Sequence, residues 1–544
     1  MANCNYGNID MVLMNGKVLT MDASNTIAEA IAIKKDCIVM VGTDESVKPL
    51  ITQDTYVIDL NGRTLLPGFI DAHNHFGQMA IAKLNLDLSP SAGVKSIADI
   101  QKYLQVRDSE QTSEVWWING TSYDETKLEE KRHPNRWDID QAVSERPVIL
   151  MHLSGHIAVL NSKAMEVVGI TEDTPIPPAG KFGRDSEIGQ LNGIVYGEAF
   201  WRLTEYYPPL VPPPSTKDIC EGIKILGKQY LEEGITSVCD IVSYPWTIKA
   251  YQTLWKQKEL PLRVVMYIRN SFFADFVKTG LLSGFGDKNL KIGGIKFFID
   301  GSMSAGTAAV SNSPGYSQPL ICYTQEEITE WVKKIQEAGF QVAAHANGDT
   351  AINMFLNAIE ANLKDKPIED HRTRIEHCSV VNPDIIEKIK KLGVLPSLFA
   401  TMAWFHGDKV KRGIDPEKEK WLCPFRSFFD AGVPISGHSD YPANPYHPRL
   451  GIYSQVMRTT RDANLPIGPE QGISVLEALR TWTINAAYAT FDENIKGSIE
   501  PGKLADLVVL NQDPLQIPSQ DIKELKVMMT IIGGEIRFER KNRN

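Results

Sequence analysis

The chain changes its hydrophobic grammar twice. Residues 10–67 run as short apolar stretches broken by turn residues. IDMVLMNGKVLTMD, AIAIKKDCIVMVGT and YVIDLNGRTLLPG each read as strand, turn, strand. From residue 65 the pattern becomes β-branched apolar runs alternating with segments of helical spacing. Eight runs stand out, at 66–75, 234–242, 262–269, 293–300, 341–347, 373–379, 393–399 and 433–440. Between them, TQEEITEWVKKIQEAG (324–339) has a Thr cap, an acidic first turn and a Gly stop, and PDIIEKIKKLG (383–393) repeats the form. Continuous apolar strands alternating with helices predict a parallel sheet. Eight repeats predict its closure into a (β/α)8 barrel.

The flanks complete this α/β architecture. ISVLEALRTWTINAAYATF (473–491) predicts a last amphipathic helix, and residues 497–514 and 527–538 return to strand and turn. Chain ends are often close together, so the terminal segments 1–64 and 491–544 are expected to form one small β-sandwich beside a barrel at 65–490. The interval 77–233 is too long for a connection. It predicts a subdomain inserted after the first barrel strand, with strands of its own at 115–120 and 146–156.

Composition excludes several function classes. Hydrophobic residues make up 43% and charged residues 23%, as in ordinary soluble domains. The net charge of -10 argues against nucleic acid or an anionic membrane as the partner, since both select a basic face. No apolar run reaches the roughly 18–20 residues that span a bilayer, and the N-terminus lacks the form of a secretory signal. The cysteines at 4, 37, 220, 239, 322, 378 and 423 form no CxxC pair, so reduced thiols in a cytoplasmic setting are expected. A homodimer stays open as the assembly.

Candidate chemistry gathers at the ends of the predicted barrel strands: His73, His75, Lys296, His345, His377 and Asp440. In a barrel the C-terminal strand ends carry the active site. His73 and His75 are two apart on a strand, so both imidazoles share a face and can bind one metal. A buried lysine among apolar neighbours is expensive as an ammonium. Lys296 is therefore either neutral or paired with Asp300 or another carboxylate.

These residues carry a resemblance. PGFIDAHNHF is similar to the first-strand motif of the amidohydrolase superfamily, and GSIEPGKLADLVVL to its C-terminal motif. HLSGHIAVLNS, RDSEIGQLNGIVYGEAF, KFFIDGSMSAGTAAV and HANGDTAI resemble amidohydrolase family 3, the branch that includes enzymes similar to N-substituted formamide deformylase. The resemblance implies one or two divalent ions, zinc above all. Their ligands would be His73, His75, His345, His377 and Asp440, with Lys296 carbamylated as a bridge. It implies Asp440 as the proton shuttle and a small linear amide or N-substituted formamide as substrate. Deamination or cyclic-amide hydrolysis, decarboxylation and a non-enzymatic binding role are the alternatives. His152 and His156 of the insertion, Asp300 and Trp404 are assigned to the substrate, with the insertion acting as a lid. Ser302 joins Asp300 as an orienting group. Trp116, Trp117, Phe405 and Tyr441 are candidate pocket aromatics, and His438 has no assigned role.

Overall fold

The computed structural model describes residues 8–110, 117–154, 157–177, 180–204 and 210–541. Eight parallel strands form its central sheet: β1 (Phe69–Asn74), β2 (Ile235–Ser243), β3 (Arg263–Arg269), β4 (Leu290–Phe298), β5 (Gln341–Ala346), β6 (Arg374–His377), β7 (Leu395–Phe399) and β8 (Ser436–His438). Each strand pairs with the next in chain order. The ring nearly closes where β8 returns to β1. There Asp440 N–H donates to the His73 carbonyl at 3.0 Å, and the Asp71 carboxylate accepts from Ser439 N–H at 3.0 Å and from the Ser439 hydroxyl at 2.5 Å. The strands are apolar because both faces are covered: all nine residues of β2 are buried.

Local signals in the sequence explain the outer helices. Thr324 caps helix Gln325–Glu337 and Glu327 completes a capping box, while Gly339 leaves the helix at a φ of +79°. Helix Pro383–Leu392 starts on Asn382 and buries Ile385, Ile386 and Ile389. The segment 473–491 departs from the single predicted helix. It forms Val475–Thr481 and Ile484–Tyr488, broken at Trp482 and Thr483. The hydroxyls of Thr481 and Thr483 bond back to the carbonyls of Ala478 and Leu479, and the Trp482 carbonyl is drawn off by Ile70 N–H of β1 at 2.7 Å. Side-chain competition and a tertiary acceptor outweigh the helical period here.

Segments from both ends of the chain build two further sheets. One has four strands, ordered Cys37–Gly42, Ala30–Lys34, Met11–Met14 and Tyr56–Asp59. The other has six, and in it Leu507–Leu510 runs antiparallel to Thr64–Pro67. Leu13, Ile31, Leu65, Leu507 and Ile531 lie in one apolar core across them. Arg263, at the start of β3, anchors this region through a two-pronged bond to Asp506 at 2.6 and 2.8 Å, both side chains nearly fully buried.

Ala80–Gly222 forms a compact unit of its own, separate from Met1–Met79 and Ile223–Asn544. Its six-stranded mixed sheet includes Ile118–Tyr123, Val148–His152 and Ile157–Leu160. The predicted 146–156 segment thus reaches into a turn at its end, and Gly155 and His156 lie outside the described residues. Among the described residues no helix is long and apolar enough to cross a membrane.

Removing one partner of a buried ion pair strands the other. Asp506→Ala is expected to destabilise the protein by about 3–5 kcal/mol, lowering the thermal midpoint while bound metal per chain stays unchanged. An unaltered midpoint would show that Arg263 is held by its remaining contacts with Lys288 and Asn289.

Candidate metal centre

Six side chains from five strand ends converge on the mouth of the barrel. The construction begins with two charged residues inside β6. Arg374 and Glu376 are two apart, so both point inward, and both are completely buried. Arg374 Nε and Nη2 donate to the two Glu376 oxygens at 2.7 and 3.0 Å, while its remaining donors reach the Ala72 carbonyl at 2.7 Å and the Tyr267 hydroxyl at 3.0 Å. Burial alone would push the Glu376 carboxyl up. The Arg374 charge and the His73 hydrogen bond overturn that and hold it well below the usual carboxylate range.

An ionised Glu376 sets the state of His73. Glu376 Oε2 lies 2.7 Å from His73 Nδ1, and a carboxylate only accepts, so Nδ1 carries the proton. The Nε2 lone pair then faces the barrel mouth. Asp440 Oδ1 stands 3.1 Å from it and 3.2 Å from His75 Nε2. In the neutral ring, Nε2 and the Asp440 oxygen would both be lone-pair groups at contact distance. A cation between them relieves the repulsion and uses both as ligands. The ligand atoms of His73, His75 and Asp440 all lie within 4.8 Å of one another.

The backbone bends to gather these groups. Glu376 and His377 are consecutive, and strict strand alternation would send them to opposite faces. His377 instead has a φ of +76° and Cys378 one of +43°, which ends β6 and turns the imidazole into the mouth. Asp440 has a φ of +54°. Non-glycine residues rarely adopt this region, and such strain concentrates at functional sites.

Lys296 and His345 are placed by register. Lys296 pairs with Arg269 on β3 and Ala343 on β5, and His345 with Phe298 on β4 and Glu376 on β6. Lys296 is fully buried, and among the described residues its Nζ has no hydrogen-bond partner; the ion pair with Asp300 does not form. Burial lowers its ammonium to about 7 against the pull of Glu376 and Asp440. Burial likewise brings His345 down to about 3, so its ring is neutral. His345 Nε2 lies 3.0 Å from the Gly301 carbonyl oxygen and 2.9 Å from Asn347 Nδ2. Its ring lies 4.5 Å from that of His377.

Unpaired buried nitrogen atoms test whether a metal fits. His73 Nε2, His75 Nδ1, Lys296 Nζ and His377 Nδ1 lack hydrogen-bond partners among the described residues. Buried polar atoms are rarely left so. Neutral imidazoles, a carboxylate and an amine able to become a carbamate make a suitable N/O donor set for zinc.

The outer assignments divide differently. The Asp300 carboxylate accepts from the backbone N–H groups of Asn347, Gly348 and Ala309 at 2.8–2.9 Å and stands 3.6 Å from His345 Nε2, a position that orders the loop beside a candidate ligand. Ser302 contacts Thr307 and Ser304 in the same loop. Trp404 and Phe405 lie on the short helix Met402–Phe405 after β7, and Tyr441 packs near Tyr230 and Tyr446. Within the inserted unit, His152 Nε2 is 2.7 Å from Glu125 and its Nδ1 2.8 Å from the Ser154 hydroxyl. Trp117 belongs to that unit's apolar core. His156 and Trp116 lie outside the described residues. The sequence reading assigns Arg374 and Glu376 no role, since within the strand 373–379 only His377 stands out as a ligand type at its end. The signal in RIEH is the i, i+2 spacing, which puts both charges on one face of the strand.

Comparison with known proteins places the chain in a family and a fold. The profile described as "Amidohydrolase family" matches residues 56–538. The chain is 29% identical to the N-substituted formamide deformylase of Arthrobacter pascens, covering 98% of both. It is 27% identical to the putative amidohydrolase YtcJ of Bacillus subtilis, covering 96% of this chain and 98% of that one. Among solved structures, an uncharacterized metal-dependent hydrolase from Pyrococcus horikoshii superposes with a TM-score of 0.78 at 23% identity, over 94% and 99% of the two chains. That likeness concerns the fold.

Partners that orient a metal-binding imidazole typically contribute about 10–100-fold in affinity. Glu376→Gln removes the charge that fixes the His73 proton and leaves Arg374 unpaired. Zinc titration against a chromophoric chelator is expected to show a loss of that size. Equal affinity in the folded variant would mean that His73 needs no fixed proton.

Proposed function

Because the chain belongs to the amidohydrolase family, hydrolases of carbon–nitrogen bonds other than peptide bonds, we propose that it hydrolyses a small linear amide, in particular an N-substituted formamide. The name of the Arthrobacter relative, an N-substituted formamide deformylase similar along almost the whole chain, supports that substrate class. The observation that carries the reading is the convergence of His73, His75 and Asp440, whose ligand atoms all lie within 4.8 Å of one another. His73, His75, His345, His377 and Asp440 would hold one or two zinc ions. When bound, zinc acidifies water and polarises a carbonyl.

The chain's own groups divide the remaining work. Asp440 takes the proton of the attacking water and delivers it to the departing amine nitrogen. Its side chain is about one-seventh exposed, so it meets both the buried histidines and the mouth. Its carboxylate oxygen is directed at the Nε2 atoms of His73 and His75 and, when ionised, can accept that proton. Lys296 supplies a neutral amine that would add to carbon dioxide: the N–C bond forms as one C=O π bond opens, an N–H proton passes to water, and the carbamate would supply oxygen ligands to the metal. Burial without a hydrogen-bonding partner supports that role, since an ammonium there is the costly form.

Two variants test the assignments. Asp440→Asn keeps an oxygen at the site while removing the base. Formamide hydrolysis, followed by formate release, is expected to fall by about 10²–10⁴-fold with zinc still bound. Near-normal turnover would take the proton relay away from Asp440, and ammonia in place of formate and amine would redirect the substrate class. Lys296→Ala should lose activity that added short-chain carboxylic acids partly restore; full activity without them would eliminate the carbamate.

A further inference from the structure

His438 is used by neither the proposed reaction nor the family-like ligand set. It is fully buried, and among the described residues neither Nδ1 nor Nε2 has a hydrogen-bond partner. A neutral imidazole carries one N–H and one lone pair. Leaving both unmet in a closed interior is a double penalty that folded proteins avoid. Packing alone would be served by an apolar ring, and Phe399 already lies against His438 at 5.0 Å. The other neighbours are themselves candidate ligands. The His73 ring stacks on His438 at 4.7 Å and 26°, and the His377 ring stands 5.2 Å away. Ligand atoms of His73, His377 and His438 all lie within 4.8 Å of one another, and all three residues are buried.

We infer that His438 is an additional metal ligand, donating a ring nitrogen to a zinc-like divalent cation held jointly with His73 and His377. The inference rests on the metal-dependent reading of the barrel and enlarges its donor set. It also gives the ion a structural task. His73, His377 and His438 come from β1, β6 and β8, and β8 meets β1 through a few bonds beyond its own end. An ion bound to both His73 and His438 ties those two strands together at the seam of the ring.

The test compares the full-length wild type with His438→Leu and His438→Phe, the second keeping a flat ring against His73 and Phe399. Each protein is loaded with one equivalent of zinc. Zinc-edge X-ray absorption counts the imidazoles around the ion, and chelator competition gives its affinity. The expected result is one imidazole fewer in both variants. Affinity should fall at least about tenfold, since even an outer partner of a ligand contributes about 10–100-fold. The zinc-induced rise in thermal midpoint should shrink with it. An unchanged imidazole count and affinity in either folded variant would overturn the role of His438 while leaving the metal centre intact. A wild type that binds no zinc would overturn the metal reading itself, and this inference with it. The crystal structure of the zinc-loaded wild type decides even if both variants misfold. Zinc at about 2.0–2.1 Å from a His438 nitrogen supports ligation; zinc bound elsewhere in the site, with His438 unbonded, refutes it.

Discussion

One buried carboxylate organises the barrel's chemistry. Glu376 sits between the Arg374 guanidinium and the His73 ring with no exposure to solvent. Such a pair is favourable only when its geometry satisfies nearly every donor and acceptor. Here Arg374 spends its remaining donors on the Ala72 carbonyl and the Tyr267 hydroxyl, so the charge is well compensated. The consequence is directional. The arginine keeps the glutamate ionised, the glutamate keeps the proton on Nδ1 of His73, and Nε2 is left as a lone pair facing the mouth. A protonation state at the rim is therefore written into β6, two strand positions below it.

That arrangement requires a backbone the strand geometry resists. Placing Glu376 and His377 on the same side of the sheet forces a positive φ at His377, and Asp440 adopts one as well. Backbone strain of this kind amounts to about 1–3 kcal/mol per residue and persists only where neighbouring contacts over-determine it. Those contacts are present. Cys378 N–H donates to the Ala346 carbonyl at 3.1 Å, and Asp440 N–H to that of His73 at 3.0 Å. Both strained residues are thus fixed to the adjoining strand end, and the imidazole and the carboxylate are aimed before any ligand arrives. Preorganisation of this sort is what electrostatic catalysis exploits.

Periodicity made the eight barrel strands legible, because strands covered on both faces must be apolar throughout. It also located the histidines, since a polar residue that ends an apolar run marks a rim. Charged residues inside a run defeat the same logic: beyond pairing with each other, Arg374 and Glu376 are held by partners distant in the chain, at Ala72, His73 and Tyr267. The contacts of Asp300 are equally hidden from a local pattern. Asp300 has the residue type and position of a rim carboxylate, and its oxygens accept from N–H groups of Ala309, Asn347 and Gly348. The helix break at Trp482 has a similar origin, because its carbonyl is bonded by Ile70, far back in the chain.

Closure of the ring and assembly of the site are one event. β8 shares a three-residue ladder with β7, while its junction with β1 is made by the residues just after it. Ser439 bonds Asp71, Asp440 bonds the His73 carbonyl, and the Tyr441 carbonyl accepts from His75 N–H at 3.2 Å. The residues that bring the two edge strands together are therefore the ligand candidates or their immediate neighbours. A cation binding the folded site and not the unfolded chain stabilises the fold by mass action. Here that stabilisation falls on the seam where backbone pairing is thinnest. Substitutions at Asp71 or Ser439 would consequently act on barrel closure and site geometry together. Loss of activity at those positions carries no mechanistic meaning until stability and metal content have been measured on the same protein.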